Sequence, residues 1–432
     1  MNQALRLLIW LSCVYVGLHL PRAFAVLFLL SALVALAAFV RGGRSLRLAL
    51  VVQPEWRLSL ALCALFSVAF VAGFLGWGFW SWSADRADII NALILPTLLF
   101  WAGLQLGSWK RGFNTSLLLA YTLGSLVYVL LALAWSRTPW WNLQQVFPSA
   151  ITVPWGSGGP LNVRSVEQNG FSALLLLGPA ITLFFTRASG LARLAAVGLL
   201  VAALMGGHAV WALDGRLGWL ALVLSLLPAL PRLWGGLRGV VAARGAVAFT
   251  SAVLLGGALI YGLRALIAQT ASPIWSQGLC DERFGLFAAI LSKLHEAPWG
   301  GKRLVVAFAT CGTPIPVTFA EEGGAINAAH NVFLDLYFAV GVVPVLLLLL
   351  FLARPLWGVI RGFVAQLPYG DWQHALRWSW VCLLVVQWLF QPLLYSDGLL
   401  YYFTFLVIGL MAQEFRLGRL EPRMIGGSSE LQ

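Results

Sequence analysis

The sequence predicts an all-α polytopic membrane protein, with about twelve transmembrane helices and both termini on the inner side. Three observations carry that prediction. Apolar residues make up 60% of the 432-residue chain and charged residues only 10%, whereas a soluble domain is about a quarter charged. The apolar residues gather into windows of roughly 17–25 residues, the length that crosses a bilayer. The basic residues fall mostly between alternate windows, as the positive-inside rule requires.

The windows can be taken in order. The first, 4–20, has a basic start and an apolar run, as a signal peptide does. The second, 23–40 (AFAVLFLLSALVALAAFV), follows almost at once, so the first is read as an uncleaved helix. Windows at 58–80, 89–108 and 116–135 come next, then 170–186, 191–207, a short one at 215–230, and 246–268. The last three are 331–353, 376–395 and 397–413. They define a single transmembrane domain over 1–413 and a cytoplasmic tail over 414–432, whose end, GGSSELQ, is expected to be disordered.

With the N-terminus inside, the inner segments hold 18 of the 28 Lys and Arg residues. The outer side keeps ten: Arg22, Arg86, Arg137, Arg164, Arg216, Arg264, Arg283, Lys293, Lys302 and Arg303. The net charge of +12 is spread over many short loops, which points to anionic membrane lipids as partners and away from nucleic acid. The 21 tryptophans include the clusters GWGFWSWS and WWN, read as anchors at the membrane–water boundary.

Two outer loops are long, about 136–169 and 269–330, and loops of that length are uncommon without a task. The second holds Phe284, Phe287, Ile290, Leu291 and Leu294 at helical spacing. This predicts an amphipathic helix lying on the membrane face between spans nine and ten, ended by Pro298, Gly300 and Gly301. Cys13, Cys63 and Cys382 lie within spans and read as packing residues. Cys280 and Cys311 share the second long loop, which in a bacterial host would be oxidising and would allow a disulfide.

Three outer residues suggest chemistry in combination. Arg216 opens the eighth window, Arg283 sits in DERFGLF, and His330 stands at the mouth of the tenth in AAHNVFLDLYFAVG. Singly, each has a plain reading: a snorkelling anchor, a partner of Asp281 or Glu282, and a hydrogen-bonded histidine at a helix start. Together they resemble the parts of a group-transfer site. Guanidinium forks hold phosphate oxygens in two places, and an imidazole with an ordinary pKa near ~6.5 accepts a hydroxyl proton at neutral pH. A bond to a diphosphate needs no second carboxylic acid to break. No P-loop, dinucleotide-binding GxGxxG, HExxH or CxxC motif occurs, so energy from nucleotide hydrolysis and zinc chemistry are not expected, and no cofactor is assigned.

An arginine opening a span, a second in the following long loop, then P-x-G, H-N and G-V-V-P resemble the O-antigen ligase/polymerase superfamily. By length and layout the chain is most similar to the O-antigen ligases of Gram-negative bacteria. The likeness covers roughly residues 165–400. It implies an inverting, metal-independent glycosyltransferase in the bacterial inner membrane with its site facing the periplasm. The donor would be a polysaccharide on undecaprenyl diphosphate and the acceptor lipid A–core. On this chain the resemblance makes His330 the base and Arg216 and Arg283 the diphosphate-binding residues. One departure is Gly215, preceded by Asp214, directly before the first arginine, where relatives often carry Ser or Thr; an Asp214–Arg216 pair would withdraw that guanidinium from phosphate.

Supporting residues keep two readings each. Asn331 caps the tenth helix or touches sugar. Asp335 lies close to one turn below His330 and either orients the ring or, five residues away, is too imperfect a helical neighbour to do so. Arg137, Arg164, Lys302 and Arg303 bind acceptor phosphates or are solvated charge, and Trp140, Trp141 and Trp155 stack on sugars or anchor the interface. An O-antigen polymerase would use similar groups. A protein O-oligosaccharyltransferase usually carries a large soluble C-terminal portion, which the sequence after 413 does not resemble. A transporter or flippase of lipid-linked sugar would place its ionisable residues at the bilayer midplane, whereas here they fall near span ends.

Overall fold

A computed structural model of the chain describes residues 3–20, 22–41, 52–76, 86–135, 176–186, 190–212, 226, 291, 294–301, 305–310, 313–318, 331–366, 372–390 and 398–417. The apolar windows within these residues are helices. They run α1 (Gln3–Gly17), α2 (Ala23–Arg41), α3 (Pro54–Gly76), α4 (Arg86–Gly107), α5 (Arg111–Trp135), α6 (Leu177–Thr186) and α7 (Gly190–Ala212), then α8 (Val332–Val340), α9 (Val342–Gln366), α10 (Trp372–Phe390) and α11 (Gly398–Leu417). Among the described residues, five helical stretches are long and apolar enough to cross a membrane: Ala23–Arg41, Pro54–Gly73, Ile89–Gly107, Gly112–Leu131 and Val342–Ile360. A stretch of 19 residues spans about 28 Å at 1.5 Å per residue, close to the roughly 30 Å of a hydrocarbon core.

The outward surface is apolar as well. Leu58 is 62% exposed, Leu350 58% and Leu191 81%, on faces where a soluble bundle would present polar side chains. Inside, aromatic rings knit the helices together. Phe100 of α4 meets Phe351 of α9 edge-on with centroids 4.8 Å apart, and Phe403 of α11 stacks on Tyr121 of α5 at 4.1 Å. The chain is an α-helical membrane protein.

The most extensive helix pair is α4 with α11, and glycine makes it possible. Gly103 and Gly107 form a G-x-x-x-G pair on α4, and Gly409 faces them from α11. A Cβ on Gly103 would collide with the Leu406 carbonyl oxygen, one on Gly107 would stand 2.5 Å from Leu410 O, and one on Gly409 would strike Phe100 O. Lipid offers no hydrophobic drive for helices to associate, so close backbone approach and the dispersion contacts it brings supply the attraction. The pair of α1 and α5 is built the same way around Gly17 and Gly124.

Several helix bounds differ from the hydropathy windows. α3 begins at Pro54, four residues before the window, because proline suits the first helical position and Glu55 favours the positive end of the helix dipole. α11 continues through Leu417, past the expected domain boundary at 413. Its last turn is a polar junction. Arg377 of α10 pairs with Glu414 (Nε–Oε2 2.6 Å), both nearly buried, and donates to Thr115 Oγ1 at 2.9 Å. Asn114 donates to Glu414 Oε1 at 2.6 Å, and Trp56 Nε1 donates to Gln413 Oε1 at 2.7 Å. Arg377, counted from sequence among the inner-loop cations, is therefore an internal ion-pair partner. Tertiary pairing overrode what a local charge count can detect.

The window 331–353 is not one helix. It breaks at Gly341 (φ 94, ψ 178) into the nine-residue α8 and the 25-residue α9. In the second long loop, a 3-10 turn spans Leu294–Glu296, and an antiparallel hairpin, β1 (Val305–Thr310) and β2 (Thr313–Thr318), follows. The sequence alone predicts no strand there. With Thr310 opposite Thr313, Pro314 and Pro316 pair with Ala309 and Ala307. In a two-residue hairpin these are non-hydrogen-bonded positions, where the missing proline N–H takes nothing from the ladder. The expected amphipathic helix falls mostly outside the described residues, as do the tryptophan clusters.

Gly103→Ala is expected to lower stability by about 1–3 kcal/mol through overpacking, while Gly198→Ala, which has open space around it, leaves it unchanged or raises it by up to about 1 kcal/mol. Thermal unfolding of the two variants in detergent checks this. Glu414→Gln is expected to cost about 3–5 kcal/mol by stranding the buried Arg377 charge, and the double change Arg377→Met/Glu414→Leu to recover much of that loss. Denaturant titration of the single and double variants decides it.

Candidate functional site at the 331–342 rim

The candidate site is built where the apolar run begins. Asn331 has extended backbone (φ −150, ψ 121), and its side-chain Oδ1 accepts from Phe333 N at 3.0 Å and Leu334 N at 3.1 Å, capping α8. Its Nδ2 donates to Leu389 O at 2.9 Å, in the last turn of α10. One amide thus satisfies orphan groups at the start of one helix and the end of another. Phe333 packs beside Trp388 across the same junction, with centroids 6.0 Å apart.

Asp335 lies in the first turn of α8, 2% exposed. A carboxylate there meets the positive end of the helix dipole, and its backbone N–H makes an opening bond of the helix to Asn331 O at 2.8 Å. Gln387 sits in the last turn of α10. Its side chain is fully buried, and neither amide atom has a hydrogen-bond partner among the described residues.

The far end of α8 is closed by a segment from the long loop. Gly341 N and Gly301 N both donate to Tyr337 O, at 3.0 and 2.9 Å, and Val342 N donates to Trp299 O at 2.9 Å. The Tyr337 hydroxyl donates to Ala297 O. Residues 297–301 therefore fill the gap between α8 and α9, supplying a donor to the end of one and an acceptor to the start of the other. Gly300 is required there. Its φ is 69, and a Cβ would collide with Tyr337 O and stand 2.9 Å from Gly341 Cα. Trp299 is 72% exposed and directs its indole outward, as a ring anchored at a membrane boundary does.

This rim lies at the opposite end of α10 from the Arg377–Glu414 junction. Twelve residues separate Arg377 from Leu389, about 18 Å of helix. Of the site residues expected from sequence, the structure describes Asn331 and Asp335 and brings them onto one turn. Arg216, Arg283, His330, Asp214, Arg137, Arg164, Lys302, Arg303, Cys280 and Cys311 lie outside the described residues. Tyr337, Trp299 and the docking role of Gly300 were not found from sequence. The available signals were PWGG and FAVGVVP, each with a glycine next to an apolar run, and only the fold shows that they meet.

No family model matches the chain, and no curated protein matches it. Fold and rim define it as an α-helical membrane protein whose polar rim stands at one end of the bundle.

Asn331→Ala is expected to lower stability by about 1–2 kcal/mol through loss of the cap. Asn331→Asp keeps the Oδ1 acceptor for α8 but loses the donor to Leu389 O, so it is expected to fall between Ala and wild type. Thermal midpoints of the three proteins in one detergent test this order.

Proposed function

We propose that the chain is a membrane glycosyltransferase of the O-antigen ligase kind, with twelve spans, both termini in the cytoplasm and the 331–342 rim facing the periplasm of a Gram-negative inner membrane. It transfers polysaccharide from undecaprenyl diphosphate to lipid A–core, completing lipopolysaccharide. His330 accepts the proton of the acceptor hydroxyl as its oxygen attacks the anomeric carbon. The bond from that carbon to the diphosphate oxygen breaks on the opposite face, so configuration inverts. Arg216 and Arg283 hold the departing diphosphate, and no metal takes part.

The observation that carries this reading is the placement of Asn331, whose amide joins α8 to the end of α10 farthest from Arg377. His330 is one peptide bond from it, so a base there has a rigid neighbour beneath it. The positive-inside rule puts the end with Arg6, Arg41 and Lys110 in the cytoplasm and the rim outside. The sequence pattern of Arg216 in DGRLGW and Arg283 in DERFGLF supplies the cations.

Purified protein given undecaprenyl diphosphate-linked saccharide and lipid A–core is expected to form the ligated product, and a chelator to leave the rate unchanged. His330→Ala is expected to lower the rate by about 10²–10⁴-fold, and Arg216→Ala and Arg283→Ala by about 10²–10³-fold each, with insertion intact. A wild-type rate in His330→Ala removes the base assignment. Growth of the donor chain without transfer to lipid A–core makes the protein a polymerase, and saccharide flux into liposomes without product makes it a transporter.

A further inference from the structure

At the end of the bundle opposite the rim, three cations meet in one cleft. Arg6 of α1, Arg41 at the end of α2 and Lys110 between α4 and α5 line it, together with Trp109 and Phe113. The three come from segments distant in sequence, so the positive-inside rule explains their end of the bundle but not their convergence. The open volume is about 220 Å³, roughly that of seven waters at about 30 Å³ each.

Among the described residues, no carboxylate lines the cleft. The acids described nearby at this end are engaged elsewhere: Glu414 with Arg377 and Asn114, and Glu55 in a contact of its own. The Arg6 guanidinium lies 5.8 Å from the Phe113 ring centroid, and its buried Nε has no hydrogen-bond acceptor among the described residues. Arg41 spends one long bond, 3.4 Å, on Ser108 O. Trp109 stacks on Phe113, with centroids 5.7 Å apart, and gives the cleft an apolar wall.

Three like charges in a partly desolvated space repel one another, and a buried guanidinium nitrogen without an acceptor is costly. An anion with several oxygens relieves both. Phosphate suits this set, because guanidinium forks take its oxygens in pairs and the ammonium adds a point charge. Basic pockets between membrane helices hold lipid phosphates in this way.

We propose that the Arg6–Arg41–Lys110 cleft is a binding site for a phosphate-bearing anion, either an anionic phospholipid headgroup or a free phosphate ion. It is separate from the chemistry proposed for the rim and stands whether or not that chemistry is correct.

The test is calorimetric titration of the purified full-length chain in a non-ionic detergent. Inorganic phosphate, short-chain phosphatidylglycerol and short-chain phosphatidylcholine are the three ligands. Arg41→Gln and Lys110→Gln change exposed side chains, so both variants are expected to fold, and circular dichroism verifies it. Saturable binding weakened about tenfold by each variant is expected, the loss of one charge-assisted bond. Such binding by phosphatidylglycerol but not phosphate assigns the site to a lipid headgroup, and by phosphate alone to a soluble anion. Absence of binding by both, equal binding of phosphatidylcholine, or binding unchanged in the variants overturns the proposal.

Discussion

The close approach of α4 and α11 organises the bundle. Where Gly103, Gly107 and Gly409 bring the two backbones together, α11 is fixed in depth and rotation, because a shift of one residue would put a side chain where only hydrogen fits. That fixed helix then serves two kinds of contact. Its middle carries Phe403 and Phe405 into the aromatic core, where they meet rings from α3, α5, α9 and α10. Its last turn carries Gln413 and Glu414 to the polar groups of α3, α5 and α10. Packing sets the position, and the hydrogen bonds then find their partners.

α10 links the two polar ends of the bundle. Arg377 near its start belongs to the buried junction, and the Leu389 carbonyl near its end receives the Asn331 amide. The rim is consequently not a loop resting on the bundle. It is held by a helix whose other end is ion-paired, and by the 297–301 segment hydrogen-bonded across the Gly341 break. The group-transfer site proposed at the rim would gain from such support, since catalytic groups must be held within a fraction of an ångström.

Much of the helical architecture was legible in the sequence because lipid imposes a simple rule: long apolar runs become helices. The window 23–40 differs from α2 by one residue, and 89–108 from α4 by a few. What escaped was set by tertiary contact. FAVGVVP is uniformly apolar, so hydropathy cannot show that Gly341 breaks it; the break exists because Trp299 and Gly301 supply hydrogen bonds from 43 and 36 residues away. The cap at Asn331 was readable as one alternative, since a short polar side chain before an apolar run is a local signal. Its second bond, to Leu389 O, was not. Arg6, Arg41 and Lys110 read as scattered charge until the fold brought them to one cleft.

The ion pair at the polar junction bears on how the protein is made. Arg377 leaves the ribosome 37 residues before Glu414. Thr115 of α5 offers that guanidinium a neutral acceptor, and Glu414 of α11 adds the opposite charge. Insertion of α11 therefore does more than add a span. It neutralises a charge already delivered to the membrane, which makes the later helix a latch on the assembly of the earlier ones.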